Sequence, residues 1–109
     1  MELYDDYWVG SMNYVLESLS RSIGQYFRHY RKVKIGVTNN PARRGNEHSR
    51  SRIKWDYMVV KYKTTSVNFA NRLETILIDN NWDYVENEIG GGGGPAGTGN
   101  QYLYVLLKK

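Results

Sequence analysis

Between residues 12 and 37 the apolar residues change their period, and that change restricts the fold more than any other feature. Met12, Val15, Leu16, Leu19, Ile23, Tyr26, Phe27 and Tyr30 recur at helical spacing, so one face of a helix must be buried. Ser11 stands where a helix cap belongs. The spacing predicts a helix over about 12–29, weakened by about 1 kcal/mol at Gly24. Directly afterwards Val33, Ile35 and Val37 alternate with Lys34 and Gly36, the period of a half-buried strand. A chain that changes period within a few residues must lay a helix against a sheet.

The remaining segments extend this pattern. Asn40 followed by Pro41 is a helix-start signature, because proline gives up nothing at the first helical position, and a short helix is expected over about 41–48. "IKWDYMVVKYK", residues 53–63, reads as a second strand. "TTS" then caps a helix over 67–81, with Phe69, Leu73, Ile76 and Leu77 facing inward. "QYLYVLL", residues 101–107, reads as a last strand beyond the glycine-rich stretch 90–100. That stretch is not a phosphate-binding loop of the usual kind, since no lysine followed by serine or threonine closes it. The expectation is one domain over residues 1–109, of a small α/β or α+β class.

Charge narrows the class of partner. The net charge is +4. Twelve Lys or Arg lie between Arg21 and Lys63 against two acids, Glu47 and Asp56, while the rest of the chain has three bases and nine acids. Such asymmetry favours one electropositive surface suited to a polyanion. The absence of cysteine excludes disulfides and thiolate metal sites. No apolar run has the length of a membrane span, and no secretory leader is evident. The expected location is therefore soluble and intracellular, in the cytoplasm.

Within the basic half, Arg44 and His48 fall four residues apart on the short helix, directly after a strand that contains glycine. Glu74 lies four residues after Ala70 and three and four before Leu77 and Ile78. That spacing sets a carboxylate at the border of an apolar face, where desolvation is costly unless a positive group compensates. From spacing alone an edge glutamate whose head reaches water is the simpler account.

The order of these segments resembles the GIY-YIG nucleases. "KIGVTNNPARR" is similar to that family's second strand and following helix, with an arginine eight residues past the glycine, as Arg44 is past Gly36. His48 falls where several members carry a histidine. "ANRLETILI" resembles the helix that supplies a single metal-binding glutamate, matched by Glu74. "YVENEIGGGG" resembles the segment that carries an asparagine, matched by Asn87. The resemblance covers residues 33 to about 94.

This resemblance implies a small domain with a short central antiparallel sheet flanked by helices, to which the helix over 12–29 would be an extra N-terminal element. It implies hydrolysis of phosphodiester bonds in DNA with one divalent metal, Mg²⁺ or Mn²⁺. Arg44 would steady charge on the scissile phosphate, Glu74 would hold the metal, His48 would orient or accept a proton, and Asn87 would support the local backbone. Lys34 replaces the second motif's tyrosine and would supply charge or contact DNA. Arg43, Arg50, Arg52 and Lys54 would position phosphates.

The family's water-activating tyrosine belongs to a strand a short hairpin upstream of residue 34. The candidates are Tyr26 in "GQYF" and, if "LYDDYWV" is the first strand, Tyr4 or Tyr7, with Tyr30 also near. Two other readings stand beside the nuclease: a catalytically silent nucleic-acid-binding module, and a structural or assembly protein. Selectivity in so short a chain would have to come from nucleic-acid shape, a partner protein or formation of a homo-oligomer.

Overall fold

The computed structural model describes residues 1–86 and 99–109. In chain order the elements are β1 (Glu2–Val9), α1 (Met12–His29), β2 (Lys32–Thr38), α2 (Pro41–Ser49), β3 (Tyr57–Thr64), α3 (Val67–Asn80) and β4 (Gln101–Lys108). The fold is α+β, a four-stranded sheet in the order β1-β3-β4-β2 with three helices.

Local chemistry explains the helix boundaries. The Ser11 side chain accepts from the Tyr14 amide, and Met12, Val15, Leu19 and Ile23 form the buried stripe of α1. The Asn40 side chain accepts from the Arg43 amide at 3.1 Å, with Pro41 opening α2. Ser66 likewise caps α3 through the Phe69 amide. Each cap satisfies an amide that the first helical turn leaves without a partner.

Strands β2 and β4 pair antiparallel, with Lys34 opposite Leu106 and Gly36 opposite Tyr104. β4 also pairs antiparallel with β3, placing Val59 opposite Val105. Alternation then divides the side chains between two faces. On one face Val33, Ile35, Val37, Val59, Leu103, Val105 and Leu107 pack with α1 and α3. On the other, Met58, Val60, Tyr104 and Leu106 join Trp55 and lie on the side of α2.

Three expectations are corrected here. The chain begins with a strand, so α1 is not an extra N-terminal helix but the connection between β1 and β2. The sheet is mixed, not antiparallel, because β1 lies parallel to β3 at the sheet edge. A parallel pair needs a long crossover, and here α1, β2 and α2 together form it. The third strand starts at Tyr57, four residues later than its apolar pattern suggested. Ile53 and Trp55 are instead turned under the sheet, where Trp55 is buried against Met58 and Val60.

The inward face of α3 consists of Ala70, Leu73, Leu77 and Ile78, whereas Phe69 is exposed and Ile76 half-buried. Small Ala70 lets the helix approach the sheet, and the stripe rotates about it. The rotation carries Glu74, between Leu73 and Leu77, toward the protein. Asn87 and nearly all of the glycine-rich stretch lie outside the described residues. Among the described residues no helix is long and apolar enough to cross a membrane.

Candidate functional site

The polar centre on the α2 side starts from one glycine. A Cβ on Gly36 would collide with the hydroxyl and ring of Tyr104. Only glycine lets the Tyr104 ring lie across β2, a close approach of the kind that glycine in a strand interior marks. The ring reaches α2, where the Tyr104 hydroxyl is 2.8 Å from His48 Nε2 in a hydrogen bond. The two ring centroids are 5.7 Å apart.

α2 has no buried residue of its own. "PARRGNEHS" contains no large apolar side chain, so burial alone cannot hold this helix. Its cap at Asn40 and the His48–Tyr104 hydrogen bond fasten its two ends. The four-residue interval between Arg44 and His48 then points both toward the sheet. The Arg44 side chain is 30% exposed, and its Nε lies 3.4 Å from Glu47 Oε2. That Nε makes no hydrogen bond.

Electrostatics ties the remaining residues into the same centre. Burial lowers the His48 pKa to about 4, assisted by the positive charges of Lys34 and Arg44, so the imidazole is neutral at pH 7. Burial pushes the Glu74 carboxyl up to about 7, opposed by the Arg44 guanidinium. Burial also pushes the Tyr104 hydroxyl up to about 12; Arg44 opposes the rise, and Glu74 and Glu47 add to it. Side chains from β2, α2, α3 and β4 therefore lie within electrostatic reach of one another. Perturbed pKa values grouped in this way mark candidate sites.

Of the candidate residues, Arg44 and His48 share one face of α2, the charge of Lys34 reaches His48, and that of Arg44 reaches Glu74. Arg43 turns away to Asn39 Oδ1, 3.1 Å from its Nη2. Arg50, Arg52 and Lys54 are exposed at the end of α2 and in the segment after it. Tyr26 is not at this centre. Three residues beyond Ile23 on α1, it packs on the opposite face of the sheet beside Tyr30 and Lys61. Tyr30, Tyr4 and Tyr7 are also elsewhere, Tyr30 and Tyr4 beside Tyr57 and Tyr7 beside Tyr102.

The tyrosine that does reach Arg44's surroundings is Tyr104, which sequence reasoning missed. Two signals could have found it. "YLYVLL" alternates so that Tyr104 faces away from Leu103 and Val105, and Gly36 leaves room for a large neighbour. Neither says that the last strand lies beside β2.

A divalent cation fits the residues present. The Glu74 carboxylate is a hard oxygen donor, and burial raises its pKa against the opposing charge of Arg44. Among the described residues no three His, Cys, Asp or Glu side chains gather around one point. An ion that keeps most of its waters and takes one protein carboxylate, such as Mg²⁺, suits that donor set.

Comparison with curated proteins finds no match, and neither does comparison with solved structures. Comparison with protein families finds the T5orf172 domain over residues 13–88. That span takes in α1, β2, α2, β3 and α3 and stops short of β4. Since the match covers well over half of the sequence, the chain belongs to the T5orf172 domain family, which is related to the GIY-YIG nucleases.

Proposed function

We propose that this protein is a metal-dependent endonuclease that hydrolyses phosphodiester bonds in DNA. The observation that carries the reading is the Tyr104 hydroxyl, held 2.8 Å from a neutral His48 within the field of Arg44 and Glu74. The resemblance asks for a tyrosine on a strand that forms a hairpin with the Lys-Ile-Gly strand. β4 offers the same antiparallel neighbour relation from the other end of the chain. Lys34 then takes the place of the second motif's tyrosine and adds positive charge beside His48.

The residues divide the chemistry between them. Arg44 remains charged, so its planar fork can bind phosphate oxygens as negative charge grows on them. A bound phosphodiester brings negative charge next to Lys34, Arg44 and His48, which raises the basicity of the imidazole. As the water oxygen bonds to phosphorus and the ester P–O bond breaks, the water proton passes to the Tyr104 oxygen and the departing alkoxide takes a proton from solvent. The phenol proton moves on to His48 Nε2, so Tyr104 need not exist as a free phenolate. Glu74 would hold the Mg²⁺ or Mn²⁺, which when bound supplies Lewis-acid charge beside the phosphate. Exposed Arg43, Arg50, Arg52 and Lys54 would track the backbone without reading bases.

Supercoiled-plasmid nicking with Mg²⁺ or Mn²⁺ tests the reading. Arg44→Ala, Tyr104→Phe and Glu74→Gln should each reduce nicking about 10²- to 10³-fold while circular dichroism melting shows a folded protein. Undiminished nicking in Tyr104→Phe or Glu74→Gln overturns the site. Salt-sensitive DNA binding without nicking under any metal supports the silent binding module instead.

A further inference from the structure

The two edges of the sheet are finished differently. The order β1-β3-β4-β2 leaves β1 and β2 each paired on one side. β2 is covered by the chain itself, since Val33 bridges to Val85 and its carbonyl accepts from the Glu86 amide at 2.8 Å. β1 has no such cover among the described residues, and all eight of its residues are exposed. It contains neither proline nor lysine, the residues that commonly blunt an edge, and it presents Leu3, Tyr4, Tyr7 and Trp8 to solvent. A register shift after Asp5 leaves residues 2–5 as its regular run. The Glu2 amide donates to the Asp56 carbonyl of the β3 side. Backbone groups alternate in direction along a strand, so those of Leu3 and Asp5 point to the free edge.

A groove runs beside this edge. Leu3 and Asp5 lie opposite Met58 and Val60, on the α2 side of the sheet. There Leu3, Asp5 and Tyr7 face Pro41 and Ala42 of α2 across a hollow of about 280 Å³. A second hollow of about 310 Å³ shares Leu3, Pro41 and Ala42 and continues past Gly45 to Ser49. An extended segment laid along β1 would set alternate side chains beside this groove and the others beside Tyr4 on the opposite face. Charge selects the segment. The charged residues of β1 are Glu2, Asp5 and Asp6, all acidic. Among the described residues Asp5 is the only charged side chain that lines the groove, and it makes no ion pair. A polyanion is repelled here. A second copy is disfavoured as well, because full antiparallel overlap of two β1 strands sets Asp5 opposite Asp6 twice, and like charges directly opposite destabilise a pair. A basic strand is complementary.

We infer that β1 is a docking edge for an extended segment of a partner protein in which lysine or arginine alternates with apolar residues. The segment joins the sheet through the backbone groups of Leu3 and Asp5, with its basic side chains toward Asp5 and its apolar ones beside Tyr4. This contact does not rest on the nuclease reading, since Arg44, His48 and Glu74 do not line the groove.

The test is amide NMR titration with a synthetic heptapeptide in which lysine alternates with valine. Shifts are expected at Leu3, Tyr4 and Asp5, with affinity falling as salt rises. Leu3→Pro removes an outward N–H, a change that an edge strand tolerates, and should weaken binding about fivefold or more. Leu3→Ala keeps the amide and should weaken it less. If Leu3→Pro fails to fold, the same peptide N-methylated at alternate residues tests the same bonds and should not bind. Asp5→Lys should reverse the preference, toward a heptapeptide in which glutamate alternates with valine. Equal binding of the two peptides by the unaltered protein overturns the inference, as does undiminished binding of the N-methylated peptide. So do shifts confined to Lys34, Arg44 and Glu74, or dimerisation of the free protein through the amides of β1, which would make a second copy the occupant. Plasmid nicking can fail independently, because it responds to Glu74 and not to Asp5.

Discussion

The two faces of the sheet are built from the same three strands, β2, β3 and β4, but held in different ways. On the helical face, α1 and α3 contribute Leu19, Ile23, Leu73 and Leu77, all fully buried. Apolar burial there is both the means and the result of folding. On the α2 side the covering helix buries nothing and is fastened by a cap and a histidine–tyrosine hydrogen bond. Its polar groups are displaced from their ordinary pKa values, Glu74 upward and His48 downward. One face has stability to lose. The other carries groups that cost stability, as reactive sites commonly do.

The largest effect should come from the helical face. Leu19→Ala removes a fully buried side chain and should lower unfolding free energy by about 2–5 kcal/mol, measured by urea denaturation. Nicking measured well below the new melting temperature should persist. If activity falls while the fold survives, the faces are coupled and the division fails.

Gly36→Ala should have an intermediate effect and strike the contact on which the α2 side depends. The added methyl meets the Tyr104 ring, so the phenol must move or the strands must separate. A cost of about 1–3 kcal/mol is expected, with loss of nicking out of proportion to it. Retained nicking would mean that Tyr104's place over β2 is not required.

The smallest effects are pH effects, and they oppose one another. The folded pKa of His48, about 4 against 6.5, means that the unfolded chain binds the extra proton, so its contribution to stability rises from pH 4 to 6.5. The folded pKa of Glu74, about 7 against 4.5, means that the folded chain retains the proton. Its contribution is greatest below pH 4.5 and is lost as pH rises through 7. Relative to wild type, Glu74→Gln should therefore gain stability with rising pH, and His48→Gln should lose it. With both groups partly solvated, about 1 kcal/mol each is the expected scale, measured by denaturant titrations at pH 4.5, 5.5 and 7. Parallel pH profiles for both variants would remove the electrostatic half of the comparison.

Local information was enough for every helix. The stripe from Met12 to Tyr30, Ser11, the Asn40–Pro41 pair and Ser66 place α1, α2 and α3 within a residue or two of where they lie. Period and capping are short-range properties, set by neighbours three and four positions away. The interval that sets Arg44 and His48 on one face of α2 is equally local, whereas Glu74 is singled out by the resemblance, since its spacing alone favours an edge glutamate. What neighbours cannot supply is strand order. β1 pairs parallel with β3, and β4 inserts between β3 and β2.

Tyr104 shows the consequence most clearly. Its alternation with Leu103 and Val105 decides which side of a strand it occupies, but not which strand lies alongside. Its hydrogen bond to His48 spans fifty-six positions in the chain. Residue order determined three helices, a basic half and the spacing of an arginine, a histidine and a glutamate. Only the folded sheet decided which of ten tyrosines meets them. Pairing between distant strands is selected by the burial of whole faces together, a quantity that no short stretch of sequence contains.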